Sequence, residues 1–329
     1  MPSIQLLHIS DLHFSFEPRR LDALSRIRAG FRERQVLRAL FRVRSNSLFS
    51  SHDQDLARAV AEFAYSQRLA LDGIVITGDL ATTGGMLEDL NVAISFVNSP
   101  AVLGVRSREG NPTLAASGLN IFLIPGNHDR YATELGGCGG TNFDEIFEAY
   151  WERGSHIQSA VLEIEDQKLG IVGADFTLCD SADAKVPRVL GRLGQGRVYP
   201  DILSALEEET NALRREFGPI GLIWAVHFPP EAPGNTRGLR LIDGRSLIAA
   251  AKRQDVRHIL AGHIHSDQTY TAGTKPTVRG VFCANSACSL STDGGNGFQV
   301  LEIDVDGTRV SISEQCYEWD DEVGEFILH

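Results

Sequence analysis

Five short apolar runs in this 329-residue chain each end directly on residues of metal-binding type, and that recurrence constrains the fold more than any other feature. The runs are Ile4 to Ile9, Gly73 to Thr77, Asn120 to Ile124, Gly221 to Val226 and His258 to Ala261. All are of strand length and rich in Ile, Val or Leu, the pattern of strands buried on both faces. Behind them come, in order, Asp11-Leu12-His13, Gly78-Asp79, Gly126-Asn127-His128-Asp129, His227 and Gly262-His263-Ile264-His265. In open α/β sheets ligands bind outside the carboxyl ends of the strands, so strands lying side by side deliver all five groups to one crevice. If the backbone is extended, Asp11 and His13 project to one side, as do His263 and His265, and each pair can approach a common centre. Gly78, Gly126 and Gly262 fall where the chain must turn beside that crowded centre.

Between the runs lie segments of helical period, Gln54 to Gln67, Phe143 to Glu152, Pro200 to Phe217 and Ser246 to Arg253, so the first 260 residues alternate between strand and helix. From Gln268 onward the pattern turns strand-like, and Asp306-Gly307 between two alternating runs predicts a hairpin. No internal repeat breaks the chain into units. The expectation is one α/β domain over 1–329, two packed sheets with helices outside. Five cysteines without CxxC spacing argue against a disulfide framework or a Cys-type zinc site. No apolar run reaches about 18 residues and no secretory leader is evident, so the expected compartment is the cytoplasm, without a transmembrane segment.

The donors are imidazole nitrogen, carboxylate oxygen and amide oxygen, a set suited to manganese, iron or zinc rather than to copper(I) or an iron–sulfur cluster. Asp11, His13, Asp79, Asn127, His227, His263 and His265 are too many for one tetrahedral ion, whereas two ions sharing a bridging carboxylate would use them all. Such a pair binds a bridging hydroxide and clamps a phosphoryl group during in-line displacement, which makes hydrolysis the implied chemistry. His128 is left over for hydrogen bonding to phosphoryl oxygen and for protonating the leaving alkoxide, with Asp129 expected to orient it.

Taken in this order, the set D-x-H, GD, GNHD, a lone His and GHxH resembles the calcineurin-like metallophosphoesterase superfamily. That resemblance implies a four-layer αββα sandwich of two mixed β-sheets flanked by helices, the metallo-dependent phosphatase type. It also implies two divalent metal ions, Mn2+ and/or Fe2+/Fe3+, with Zn2+ as a further option. By the resemblance Asp11, His13 and His265 hold the first ion, Asn127, His227 and His263 the second, and Asp79 bridges them, while His128 takes the proton-transfer role. The forms Ser10-Asp11-Leu12-His13-Phe14, GDLATTG and His227-Phe228-Pro229-Pro230 look most like the bacterial class III cyclic nucleotide phosphodiesterases. Protein phosphatases of the superfamily read GDxVDRG and GNHE, and the lipid A precursor pyrophosphatases read GNRD, so both are disfavoured. The expected substrate is a small phosphodiester such as a 3′,5′-cyclic nucleotide. The alternatives are a DNA nuclease of the same superfamily and an inactive scaffold resembling the retromer subunit built on this fold.

The chain carries 31 basic and 43 acidic residues, a net charge of −12 that repels nucleic acid at long range unless a local patch or bound metal reverses the field. One patch exists: nine arginines between Arg19 and Arg44 face only Asp22 and Glu33. Leu21, Leu24, Ile27, Phe31, Leu37, Leu40 and Phe41 recur there at helical spacing, which predicts an Arg-rich helical insertion over 17–50. Its readings are a solvated face packed beside the core, a phosphate-attracting cap, a contact with nucleic acid or a membrane surface, or a homodimer contact. Arg237 and Arg240, in the loop after His227, are candidate substrate-binding residues beside Asn127 and His128, and Asp175 is a candidate at the rim. His8 is expected to be a hydrogen-bonded core histidine, and His52, His156, His258 and His329 surface or loop residues.

Overall fold

The computed structural model describes residues 3–16, 52–98, 113–132, 139–177, 195–232, 241–273, 278–289 and 295–329. The expected insertion over 17–50, together with Arg237 and Arg240, lies outside the described residues. Two six-stranded mixed sheets form the body. The first is built from β1 (Ile4–Ile9), β2 (Gly73–Ile76) and β3 (Asn120–Leu123), parallel to one another, extended past β1 by antiparallel β12 (Gly297–Asp306), β13 (Arg309–Asp320) and β14 (Glu325–Leu328). The second has parallel β5 (Gln167–Ala174), β7 (Gly221–Val226), β9 (His258–Ala261) and β11 (Val278–Cys283), with β4 (Ile157–Ile164) and β10 (Gln268–Ala272) antiparallel at its edges. A short pair, β6 (Gly196–Arg197) and β8 (Leu241–Ile242), stands apart.

Strand periodicity explains the layering. Along β7, Ile223 and Ala225 join the core shared with Ile303 and Val305 of β12, whereas Leu222, Trp224 and Val226 join a second core. That second core is closed by Leu203, Leu206 and Leu213 of α4 (Pro200–Phe217) and by Leu247 and Ala251 of α5 (Gly244–Arg253). Side chains two apart face the same way, so a central strand of the second sheet such as β7 buries one face on the first sheet and the other on helices. On the outer side of the first sheet lie α1 (Gln54–Ser66) and α2 (Leu87–Asn98), which bury Leu56, Val60 and Ala64, and Leu90, Phe96 and Val97. Local signals fix the helix ends: Asp53 caps α1 by accepting from the N–H groups of Asp55 and Leu56, and α4 opens on Pro200 and stops at Gly218. The fold is therefore the expected two-sheet sandwich flanked by helices.

Two elements differ from expectation. Phe143 to Glu152 forms regular helix only over α3 (Asn142–Ile146), and the chain then continues in turns that keep Phe143, Phe147 and Trp151 buried at four-residue spacing. No helix was expected over α2, whose Val, Ile and Phe content mimics a strand. The Asp306-Gly307 hairpin forms as expected, Gly307 adopting φ 61° in the two-residue turn between Asp306 and Arg309. No helix among the described residues is long and apolar enough to cross a membrane. His52 and His258 are buried rather than exposed, His52 against Phe14 and His258 at the start of β9.

Candidate metal centre

The five motif-bearing strands divide between the sheets, β1, β2 and β3 in one and β7 and β9 in the other, so the loops meet across the top of the sandwich rather than along one sheet edge. Backbone bonds zip the first two loops together, from the N–H of Asp11 to the carbonyl of Gly78 and from that of His13 to the carbonyl of Asp79, both 3.0 Å. The N–H of His263 donates to Asp11 Oδ2 at 2.8 Å, tying the second sheet's loop to the first.

The extended backbone expected for the two paired motifs is not what brings them together. Asp11, His13, Asp79, His263 and His265 all have positive φ, between 48° and 72°. Each such residue costs about 1–2 kcal/mol, because Cβ crowds the carbonyl oxygen in the left-handed conformation. Strain of this kind persists only where the surroundings over-determine it, and here it turns five donor side chains inward. Gly126 serves the same crowding: a Cβ on it would stand 2.2 Å from Asp79 Oδ1.

Three groups of donor atoms result, each with its atoms within 4.8 Å of one another: Asp11, His13 and His265; His13, Asp79 and His128; and Asp79, His227 and His263. Asp79 Oδ2 stands between the groups, 3.3 Å from His227 Nε2, 3.8 Å from His13 Nε2 and 4.0 Å from His128 Nε2. His265 Nε2 is 3.1 Å from Asp11 Oδ1 and 3.2 Å from His13 Nε2. Asn127 completes the set with Oδ1 3.1 Å from His227 Nε2. All seven expected ligands are thus gathered at one place, buried except for the partly exposed His265.

The cluster fits a divalent cation. His227 donates from Nδ1 to the Thr77 carbonyl at 2.7 Å, which leaves Nε2 with a lone pair directed at the oxygens of Asp79 and Asn127. Electron-pair donors facing one another are repulsive unless a positive charge lies between them. Burial lowers the pKa of His227, yet the charge and hydrogen bond of Asp79 overcome it and raise the group to about 9, so a proton is drawn into that place. His263, by burial and by the charge of His227, is lowered to about 3, and its Nε2 is buried without a hydrogen-bond partner. Asp79 is held well below the carboxylate range: burial opposes this, but His227 and His128 outweigh it. Metal binding needs neutral imidazoles and ionised carboxylates, so His263 and Asp79 are already in the required states, whereas a cation bound here would take the place of the His227 proton.

Asp129 is not where the sequence put it. Its carboxylate accepts from the N–H groups of Gly126 and Ala81, both at 2.8 Å, and of Leu80 at 3.2 Å, pinning the second and third loops to each other. Burial and the charge of Asp79 raise its pKa to about 7 against those three bonds. His128 is oriented instead by the carbonyl of Thr82, 2.7 Å from Nδ1. Asp175 is likewise no rim residue: it is fully buried and bonded to the Arg130 Nε at 2.8 Å, while Arg130 Nη1 meets Asp144 at 2.6 Å. His8 is the expected core histidine, between Gln299 and Thr77. Sequence reasoning missed Arg130 and Tyr131, whose only signal was their place directly after Asp129, and Thr77 and Thr82, which act through carbonyls that every residue possesses.

Comparison with known proteins bears on this geometry. The family model described as calcineurin-like phosphoesterase matches residues 4–267. Among solved structures, purple acid phosphatase PPD1 from yellow lupin (Lupinus luteus) seeds superposes with a TM-score of 0.54 at 13% identity, covering 100% of this chain and 54% of its own. GAP50, the anchor in the inner membrane complex of Plasmodium, gives 0.53 at 13% identity, covering 100% and 88%. A putative 5'-nucleotidase from Staphylococcus aureus gives 0.50 at 14% identity, covering 99% and 54%. The chain thus spans about half the length of the plant and staphylococcal proteins. No curated protein gave a significant match.

Proposed function

Because the chain belongs to the calcineurin-like phosphoesterase family, we propose that it hydrolyses phosphodiester bonds at the cluster around Asp79, acting on a small diester such as a 3′,5′-cyclic nucleotide. The observation that carries this reading is the position of Asp79 Oδ2, within 4.0 Å of His13, His128 and His227. One carboxylate oxygen so placed suits a bridge between a site of Asp11, His13 and His265 and a site of Asn127, His227 and His263. Two divalent ions there, Mn2+, iron or Zn2+, supply Lewis acidity toward phosphoryl oxygens when bound. The oxygen and nitrogen donors, with no thiolate among them, favour those metals.

The remaining work falls to His128. Its Nδ1 proton is committed to Thr82, so the atom that takes and gives a proton is Nε2, on the Asp79 side. In its protonated form it donates to the departing alkoxide as the ester P–O bond breaks and water oxygen bonds to phosphorus. A scaffold has no use for seven ligands gathered at this cost in backbone strain, which favours catalysis. We read the protein as cytoplasmic.

The test is the initial rate of manganese-reconstituted protein on bis(p-nitrophenyl) phosphate, p-nitrophenyl phosphate and 3′,5′-cyclic AMP, with Asp79→Ala and His128→Ala as controls. Diester turnover lost in both variants supports the reading, and the cyclic AMP rate decides the substrate class. No turnover on any of the three with metal bound overturns it. The nuclease reading has one observation in its favour: the flanks of residues 17–51 meet next to His13, with the N–H of Ser15 3.1 Å from His52 Nδ1. It requires salt-sensitive DNA binding that weakens when Arg32, Arg34 and Arg38 are neutralised.

A further inference from the structure

The chain that leaves β11 runs beside the first ligand loop and bonds to three of its carbonyls in succession. The N–H of Ala287 donates to the Ser10 carbonyl at 3.1 Å, the hydroxyl of Ser286 to that of Asp11 at 2.6 Å, and the thiol of Cys288 to that of Leu12 at 3.2 Å. This brace lies beyond residues 4–267, the span that the family model matches. We propose that Ser286 is its positioning residue: the hydroxyl holds Asp11 in the backbone turn that aims its carboxylate at the first group of metal donors.

Asp11 needs such a hold. Its φ of 53° costs about 1–2 kcal/mol in a residue with a Cβ, so it persists only while its surroundings fix it. The N–H of Asp11 is tied to the Gly78 carbonyl at 3.0 Å, and Oδ2 accepts from the N–H of His263 at 2.8 Å. The carbonyl is the third handle. Both Asp11 and Ser286 are fully buried, so solvent does not stand in for the hydroxyl there. Nor is the hydroxyl free to turn away: its oxygen accepts from the N–H of Ser289 at 3.1 Å, which leaves its hydrogen for Asp11. The Ser286 backbone is itself pinned, its N–H to Asn285 Oδ1 at 2.8 Å and its carbonyl to the N–H of Gly297 at 3.1 Å. With three polar groups of Asp11 fixed from three segments, Oδ1 faces His265 Nε2 at 3.1 Å, inside the group formed with His13. Ala287 acts through its backbone and Cys288 acts on a residue that is no candidate ligand, so Ser286 is the member of the brace whose side chain governs one. The inference rests on the metal-site reading above, and its test is read from metal binding rather than turnover.

The experiment is calorimetric titration of Mn2+ into metal-free protein. Removing the hydroxyl leaves a buried carbonyl unsatisfied and frees a strained ligand, so Ser286→Ala should weaken one of the two Mn2+ sites about tenfold. Cys288→Ala, a loss from the same brace, should change neither site more than about twofold. Two backgrounds identify the site. In His263→Ala, where the group around Asp11 is whole, Ser286→Ala should still cost about tenfold; in His265→Ala, where that group is broken, it should cost the remaining ion less than about twofold. Equal losses in the two backgrounds, no loss at all, or an equal loss from Cys288→Ala would overturn the role of Ser286 and leave the metal-site reading standing. Absence of Mn2+ uptake by the unaltered protein would overturn both. Should Ser286→Ala not fold, Ser286→Cys keeps a weaker donor and should weaken the same site by a smaller factor, about threefold; unchanged affinity, or equal weakening of both sites, contradicts the assignment.

Discussion

His128 donates from Nδ1 to the carbonyl oxygen of Thr82 at 2.7 Å, and this one bond decides which ring nitrogen can exchange protons with a substrate. A carbonyl accepts and never donates, so Nδ1 keeps its hydrogen and Nε2 is the nitrogen that would exchange a proton in the proposed reaction. Replacing His128 by Ala or Gln should lower kcat on a diester by about 10²–10⁴-fold, the usual worth of a placed acid. Metal content, measured by mass spectrometry of the purified variants, should stay at the level of the unaltered protein. Loss of metal in step with loss of rate would make His128 a ligand instead.

Gly126 gives a second prediction. A methyl group there would overlap the Asp79 carboxylate and its backbone nitrogen at 2.2–2.3 Å, contacts that cannot relax through a flexible side chain alone. Gly126→Ala should lower stability to urea by about 1–3 kcal/mol, as overpacking does, and should reduce the amount of metal bound. Gly244→Ala is the control. A methyl at that helix start meets nothing nearer than 3.5 Å and should leave both properties unchanged.

Arg130 is buried between Asp144 and Asp175, beside the loop that carries Asn127 and His128. Removing the guanidinium strands two buried carboxylates, at a cost of about 3–5 kcal/mol. Arg130→Met should therefore shift the urea midpoint far more than Arg253→Met, whose pair with Glu207 is exposed. Similar shifts for the two would mean that the buried network adds nothing beyond a surface pair.

His8 sets a pH dependence. Burial lowers its pKa to about 4, against the hydrogen bond to Gln299 and the charge of Asp11. The folded state thus holds His8 neutral while the unfolded chain protonates it near 6.5. Its contribution is complete above pH 6.5 and is lost as pH falls from 6.5 towards 4, by about 1.4 kcal/mol per unit. Urea titrations of metal-free protein at pH 6.5, 5.5 and 4.5 should show a slope shallower by that amount in His8→Gln. Equal slopes would place the histidine's pKa near its ordinary value.

Much of this was legible in the sequence, for identifiable reasons. Strands β1, β7 and β9 begin and end where the apolar runs do, because fully buried strands leave uninterrupted Ile, Val and Leu. The gathering of the seven candidate ligands was legible because each follows such a run. Their backbone conformations were not: Asp and His at positive φ carry no sign of it, unlike Gly, and the extended reading of Asp11 to His13 failed there. Nor could residue identity show that Asp129 spends its oxygens on three N–H groups while the Thr82 carbonyl takes the His128 proton. Helix α2 escaped notice because Val92, Ile94, Phe96 and Val97 read as strand formers, although Leu90, Ala93 and Phe96 are buried at helical spacing.

The central claim is that Asp79 serves two ions at once, and metal stoichiometry tests it most directly. Protein stripped with chelator, reloaded with Mn2+ and desalted should carry two ions per chain by mass spectrometry. Asp79→Ala, with the other six ligands intact, should carry fewer than one, because the shared oxygen between the two groups is gone. One ion or none in the unaltered protein, or two in Asp79→Ala, would contradict the account.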